Sequence, residues 1–166
     1  MNKEESIFRA YDVRGEYPDE INEDKAFRVG YAFGSFLEGN KVVVGMDARE
    51  SSISLKKSLV EGLLSSGKEV VDIGMSNTPM LYFAMTKKEF DGGVMVTASH
   101  NPAKFNGIKM VKNENGNVLQ IGKDSGMEEI KEIFKKESPK RTNEEAQKGD
   151  ILEGYVKELT SKLKSK

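Results

Sequence analysis

GGVMVTASHNPAKFNGIKMV, residues 92–111, is two apolar runs joined by a loop of small and turn-forming residues. The first run, "GGVMVT", has the short, β-branched character of a fully buried strand, and "GIKMV" is a second strand of the same kind. Between them lie Ser99, the only histidine of the chain (His100), Asn101, Pro102, Asn106 and Gly107. Residues of these types bend the backbone sharply and can aim amide donors and side-chain oxygens at one point, a geometry that suits an anion.

Outward from this stretch, short apolar runs alternate with longer ones at helical spacing. Asn22 is a candidate cap for a helix carrying Ala26, Phe27, Tyr31, Phe33 and Leu37, followed by the strand-like "KVVVGM". Ser51 or Ser52 can cap a helix with Leu55, Leu59, Val60, Leu63 and Leu64 inward; Gly67 ends it, and "EVVDIG" reads as the next strand. Thr78 as a cap, followed by Pro79 in the first turn, predicts a third helix reaching to about Lys88. Strands separated by helices need crossover connections, so the expected fold is a layered α/β domain with a mixed, mainly parallel sheet flanked by helices. "KNENGN" between "GIKMV" and "VLQI" suits a tight reversal, which predicts an antiparallel hairpin at one side. A charged helix is expected from about Asp124 to Lys136. A loop or linker follows over residues 136–149, and the last helix should carry Ile151, Leu152, Tyr155, Val156, Leu159 and Leu163 along one side.

Composition bounds the chemistry. The 166 residues amount to one domain, or one with an incomplete neighbour. Lys plus Arg number 26 against 27 Asp plus Glu, with no long basic block, so the electrostatic footprint of a nucleic-acid binder is missing. Without cysteine, disulfide frameworks and thiolate metal sites are excluded; with neither a signal pattern nor a long apolar run, the expectation is a soluble cytoplasmic protein away from membranes.

The loop leaves three readings: a nucleophile, a phosphate carrier or a plain turn. A Ser–His hydrolase fits poorly. Adjacent residues in an extended segment point to opposite sides, and no G-x-S-x-G pattern or second histidine is available. A phosphoryl carrier needs less, since a serine held among donors can accept and return a phosphoryl group while nearby cations offset its charge. Lys109 can turn its ammonium towards the loop, or be an exposed strand lysine. On the residues alone, Tyr11, Asp12 and Arg14 read as a local turn held by an Asp–Arg pair.

"TASHNP" followed by "FNGIKM" closely resembles the active-site serine loop of the phosphohexomutase superfamily, which interconverts hexose 1-phosphates and 6-phosphates and includes phosphomannomutases and phosphoglucomutases. "IFRAYDVRG", "VVVGMDARESS" and "DIGMSNTPMLYFA" resemble three further segments of that family, in its order, and "DILEGYVKEL" is similar to the stretch leading out of its first domain. The resemblance implies that Ser99 is a phosphoserine, which gives its phosphoryl group to a sugar monophosphate and takes another back once the bisphosphorylated intermediate has turned round, and whose phosphoryl oxygen also touches Mg²⁺. It implies that Lys109 and Arg14 lie beside the transferring group, and that Tyr11 and His100 line the same pocket. Arg14 suits charge stabilisation, because a guanidinium stays protonated. Asp47 and Arg49 are expected mainly to pin a loop.

The family builds its cleft from about four domains, and this chain resembles only the first. The expected division is residues 1–150 for the serine-bearing domain and 151–166 for a helix leading towards a second. No Asp-x-Asp-x-Asp metal loop is present, so Mg²⁺ should bind weakly here. The resemblance thus implies a phosphorylated hexose and the remaining mutase domains, in cis or trans, as partners, with little or no activity for the isolated chain. A free-standing, non-enzymatic module that binds phosphosugar or protein through the same loop is the alternative.

Overall fold

The computed structural model describes residues 5–87, 90–136 and 140–163. After a 3-10 turn at Glu5–Ile7 the elements are β1 (Val13–Glu16), α1 (Glu23–Phe36), β2 (Lys41–Met46), α2 (Glu50–Ser65), β3 (Glu69–Met75), α3 (Thr78–Thr86), β4 (Gly92–Val96), β5 (Phe105–Glu114), β6 (Asn117–Gln120), α4 (Met127–Lys136), β7 (Gln147–Lys148) and α5 (Leu152–Leu163). The strands form one sheet in the order β1-β5-β4-β2-β3-β7, with β6 also paired to β5. β2 is parallel to β3 and β4, and β3 to β7, whereas β5 is antiparallel to β1, β4 and β6. Among the described residues, β5 alone therefore runs against the other strands. The sheet is mixed and mainly parallel in direction, as the alternating pattern requires.

Period-two alternation distributes the core to two faces. Val42 and Val44, Val94 and Val96, Ile108 and Met110 face α1, α2 and α4, while Val43, Met95 and Val111 face Leu81, Ala84 and Met85 of α3. Burial on both faces explains why "KVVVGM" and "GGVMV" are continuous apolar runs. α1 and α2 approach closely at two glycines: a Cβ on Gly30 would lie 2.2 Å from the Leu59 carbonyl oxygen, and one on Gly62 2.0 Å from that of Phe27.

Several expected boundaries move. Asn22 caps α1, accepting from the Lys25 N–H at 3.1 Å. Neither Ser51 nor Ser52 caps α2; Arg49 is its N-cap residue without a side-chain cap bond, because Ser52 instead donates to Asp47 at 2.6 Å. α3 is capped by Asn77, which accepts from the Met80 N–H at 2.9 Å, so Thr78 is already helical. α3 ends at Thr86, and Lys88 lies outside the described residues. α4 starts later than Asp124, since Ser125 first closes a turn by accepting from the Gly122 N–H at 2.7 Å and donating to Gln120 at 2.8 Å.

The hairpin turns through Asn115 and Gly116, both at positive φ (54° and 84°), as a two-residue reversal demands. It does not lie wholly at the side: β6 is peripheral, but β1 covers the first half of β5 and makes β5 an interior strand. β1 and β7 went unread. β7 falls in the expected linker and adds a short parallel pairing to β3, with Lys148 on Asp72 at 2.8 Å. The apolar side of α5 is only partly covered. Tyr155 packs edge-on against Phe83 at 5.4 Å and Ile151 joins the α3 core, whereas Leu152, Val156, Leu159 and Leu163 are exposed. No described helix is long and apolar enough to cross a membrane.

Candidate functional site

From β2 the chain crosses through α2 to β3 on one side, then returns through α3 to β4 on the other side of β2. The carboxyl ends of β2 and β4 therefore flank the point where the winding reverses, the usual place for a ligand in an α/β sheet. Two loops meet there, tied by the Asp47 N–H donating to the Val96 carbonyl at 3.0 Å. One is Asp47–Arg49 after β2; the other is residues 97–104 after β4.

Arg49 organises the second loop from the first. Its Nη1 donates to the carbonyls of Pro102 (2.9 Å) and Phe105 (3.2 Å), and its Nη2 to those of Ser99 (3.1 Å) and Asn101 (2.7 Å). Nε is held by Asp47 at 3.1 Å. A planar guanidinium presents fixed, divergent donors, so one side chain gathers four carbonyls that a lysine could not. Thr97 donates to Asp47 at 2.7 Å and accepts from the Ser99 N–H at 2.9 Å. Burial pushes the Asp47 carboxyl up, but the hydrogen bonds from Ser52, Thr97 and the Arg49 N–H, with the Arg49 charge, together outweigh it and hold its pKa below the ordinary value. The far end is anchored by fully buried Asn106, whose amide donates to Ser51 (2.8 Å) and Ser52 (3.0 Å) at the start of α2.

These bonds hold Ser99 in the left-handed region, at φ 56°. A non-glycine residue there costs about 1–2 kcal/mol, and the strain is carried by the bonds to its own N–H and carbonyl. One expectation changes. The backbone is not extended at Ser99, so the serine and histidine side chains do not diverge: Ser99 Oγ lies 3.1 Å from His100 Nδ1. Several of the loop amides are also spoken for within the fold. The Thr97, Ser99, Asn101, Phe105 and Gly107 N–H groups are all bonded within the loop or to its neighbouring strand residues.

Positive charge comes from an adjacent cleft. Val13 pairs with Ile108 and Arg14 with Gly107 across β1 and β5, and Val13 and Ile108 share the α1 side of the sheet. Asp12, Arg14 and Lys109 consequently project to the other face. Arg9, Ala10, Tyr11, Asp12, Arg14 and Lys109 line an open cleft of about 420 Å³. Lys109 Nζ lies 3.2 Å from Asp12 Oδ2, which also pairs with Arg14 Nη2. Arg14 Nε is buried with no hydrogen-bond partner. Tyr11 is 65% exposed at the mouth. Of the five expected residues, Tyr11, Arg14 and Lys109 meet in this cleft. Ser99 and His100 stand on the neighbouring loop and are not among its lining residues. The Asp12–Arg14 pair is the one the sequence offers, whereas the second pairing of Asp12, with Lys109, depends on strand register, and Arg9 has no local signature.

The described residues do not by themselves make a divalent-cation site. No group of three or more His, Asp or Glu side chains able to hold a metal occurs among the described residues. Three cations facing one carboxylate favour an anion instead.

The family of phosphoglucomutase/phosphomannomutase, alpha/beta/alpha domain I, matches residues 5–141. A phosphomannomutase of Escherichia coli is 47% identical over 128 residues, covering 77% of this chain and 27% of that protein. One from Klebsiella pneumoniae is 47% identical over the same length, covering 77% of this chain and 80% of that sequence. The crystal structure of a phosphoglucomutase/phosphomannomutase family protein from Burkholderia thailandensis superposes with a TM-score of 0.82 at 32% identity, over 95% of this chain and 36% of that one. The chain thus spans about a quarter of the length of the E. coli relative.

Proposed function

Since the chain belongs to the phosphoglucomutase/phosphomannomutase family through its alpha/beta/alpha domain I, we propose that it is the serine-bearing domain of a phosphohexomutase, with Ser99 as the phosphoryl carrier. The observation that carries this reading is Ser99 itself, held in a strained turn by Arg49 and Thr97 beside a cleft of three cations. Residues 1–150 form that domain, and 151–166 lead towards further mutase domains.

In the proposed reaction phosphorylated Ser99 gives its phosphoryl group to the free hydroxyl of a hexose monophosphate: the bond from phosphorus to Ser99 Oγ breaks as one to the sugar oxygen forms, and Oγ gains the proton that the sugar hydroxyl loses. The bisphosphorylated sugar then turns round, and Ser99 Oγ takes the phosphoryl group from its other end, passing its proton to the sugar oxygen released there. This interconverts the 1- and 6-phosphates and restores the phosphoserine. Lys109 and Arg14 offset the charge on the phosphoryl oxygens, and Arg14 does so without exchanging protons. Tyr11 and His100 contact the sugar phosphate. For Mg²⁺ this chain would supply an oxygen on the Ser99 phosphoryl group; carboxylate ligands would come from elsewhere, so the isolated domain binds the ion weakly and turns over little or not at all.

A chimera tests this function. With the first domain of the E. coli phosphomannomutase replaced by this chain, interconversion of mannose 1-phosphate and 6-phosphate is expected to persist and to fall at least about a thousandfold with Ser99→Ala. A folded chimera without activity, or an equally active Ser99→Ala form, would overturn the reading in favour of a binding module.

A further inference from the structure

Both cations assigned to the transferring group share one carboxylate oxygen. Asp12 Oδ2 takes Lys109 Nζ at 3.2 Å and Arg14 Nη2 as well, and Asp12 is only 4% exposed. We propose that Asp12 is a positioning residue for phosphoryl transfer to Ser99, aligning Lys109 and Arg14 at the expense of the cleft's affinity for phosphate. This rests on the phosphoryl-carrier reading.

The placement is built into the backbone. Asp12 immediately precedes β1, and continuing the β1–β5 register beyond Val13↔Ile108 sets it opposite Lys109. Its carbonyl accepts the Arg9 N–H at 2.8 Å, closing the turn from which Arg9 reaches the same cleft. A long lysine and a long arginine each lose considerable side-chain freedom when fixed. A buried carboxylate fixes both before any ligand arrives, and that is the preorganisation which transfer requires. The same carboxylate repels an incoming phosphate and competes with it for the two donors. Fixing the cations and attracting the anion are therefore opposed at Asp12, and removing its charge should move binding and transfer in opposite directions. A residue that merely supports the fold would lower both.

The test uses the 166-residue chain and its Asp12→Asn, Asp12→Glu and Lys109→Ala variants, each compared only where its amide NMR spectrum shows the native fold. Inorganic phosphate is titrated and followed through the amides of residues 9–14. Separately, the rate of single phosphoryl addition from a hexose 1,6-bisphosphate is read by intact mass. Lys109→Ala should weaken phosphate binding. Asp12→Asn should tighten it about threefold or more while slowing labelling about tenfold or more. Asp12→Glu keeps the charge but displaces it, so its phosphate affinity should stay within about twofold of the parent while labelling falls as far. Phosphate affinity that is unchanged or weaker in folded Asp12→Asn, or parental labelling in either Asp12 variant, would overturn the proposal. A parent that takes no label contradicts the carrier reading instead, and the phosphate titration then decides the charge role of Asp12 by itself.

Discussion

At the scale of the residue, Arg49 decides whether Ser99 stands where it does. Its four carbonyl contacts fall on Ser99 itself and on Asn101, Pro102 and Phe105, the stretch of loop that follows it. Arg49→Lys keeps the charge and loses the fork, so the loop should relax from its left-handed turn. The expected result is a stability loss of about 1–2 kcal/mol by urea unfolding, together with at least about tenfold slower labelling of Ser99. Unchanged labelling would contradict the role of Arg49. Ser99, Lys109, Arg14, Tyr11 and His100 stand out in the sequence because they sit in contiguous motifs; the structure gathers Tyr11, Arg14 and Lys109 and sets Ser99 and His100 on the neighbouring loop. Arg49 could be read as a loop pin, but not as the clamp on Ser99, since its carbonyl partners lie 50 and more positions away and carry no side-chain signature. The left-handed turn was hidden for a related reason: serine has no intrinsic preference for it, and only the surrounding bonds impose it.

At the scale of the element, caps and ties between elements set the boundaries. Asn77, not Thr78, bonds the first turn of α3, so Asn77→Ala should cost about 1 kcal/mol and Thr78→Ala clearly less, measured by denaturant unfolding. The reverse order would restore Thr78 as the cap. Asp72 ties three elements, accepting from Lys56 of α2 at 2.6 Å, Lys148 of β7 at 2.8 Å and the Gly74 N–H of its own strand at 2.8 Å. Burial pushes its carboxyl up, but these hydrogen bonds and the Lys56 charge outweigh burial and hold the pKa below its ordinary 3.8. A folded-state pKa depressed in this way contributes stability that is fully present above the unfolded value and is lost as pH falls through the folded one. Thermal unfolding from about pH 5 down to about pH 2 should therefore show a falling Tm in the parent and a flatter profile in Asp72→Asn. An equally steep profile would contradict the tie. Long periodic segments such as α1 and β2 were legible, whereas β1 and β7 are too short to show a period and exist through pairing with distant strands.

At the scale of the whole molecule, one topological feature brings the site together. The reversal between β2 and β4 sets the Arg49 loop against the Ser99 loop, and the opposed direction of β5 brings β1, with Asp12 and Arg14, to the same face as Lys109. The α/β class and mixed sheet were legible from the alternation of elements; the interior place of β5 was not, because nothing local marks β1 as its partner. The partial cover of α5 has the same origin, since periodicity shows that positions are apolar but not which of them the α3 surface will cover. The central claim is that phosphoryl-carrier chemistry resides at Ser99 of this chain, and the most direct measurement is the intact mass of the parent and of Ser99→Ala after incubation with a hexose 1,6-bisphosphate and Mg²⁺. One added phosphoryl group in the parent and none in Ser99→Ala is the predicted result. Absence of label from the folded parent, or equal labelling of the two proteins, would contradict it.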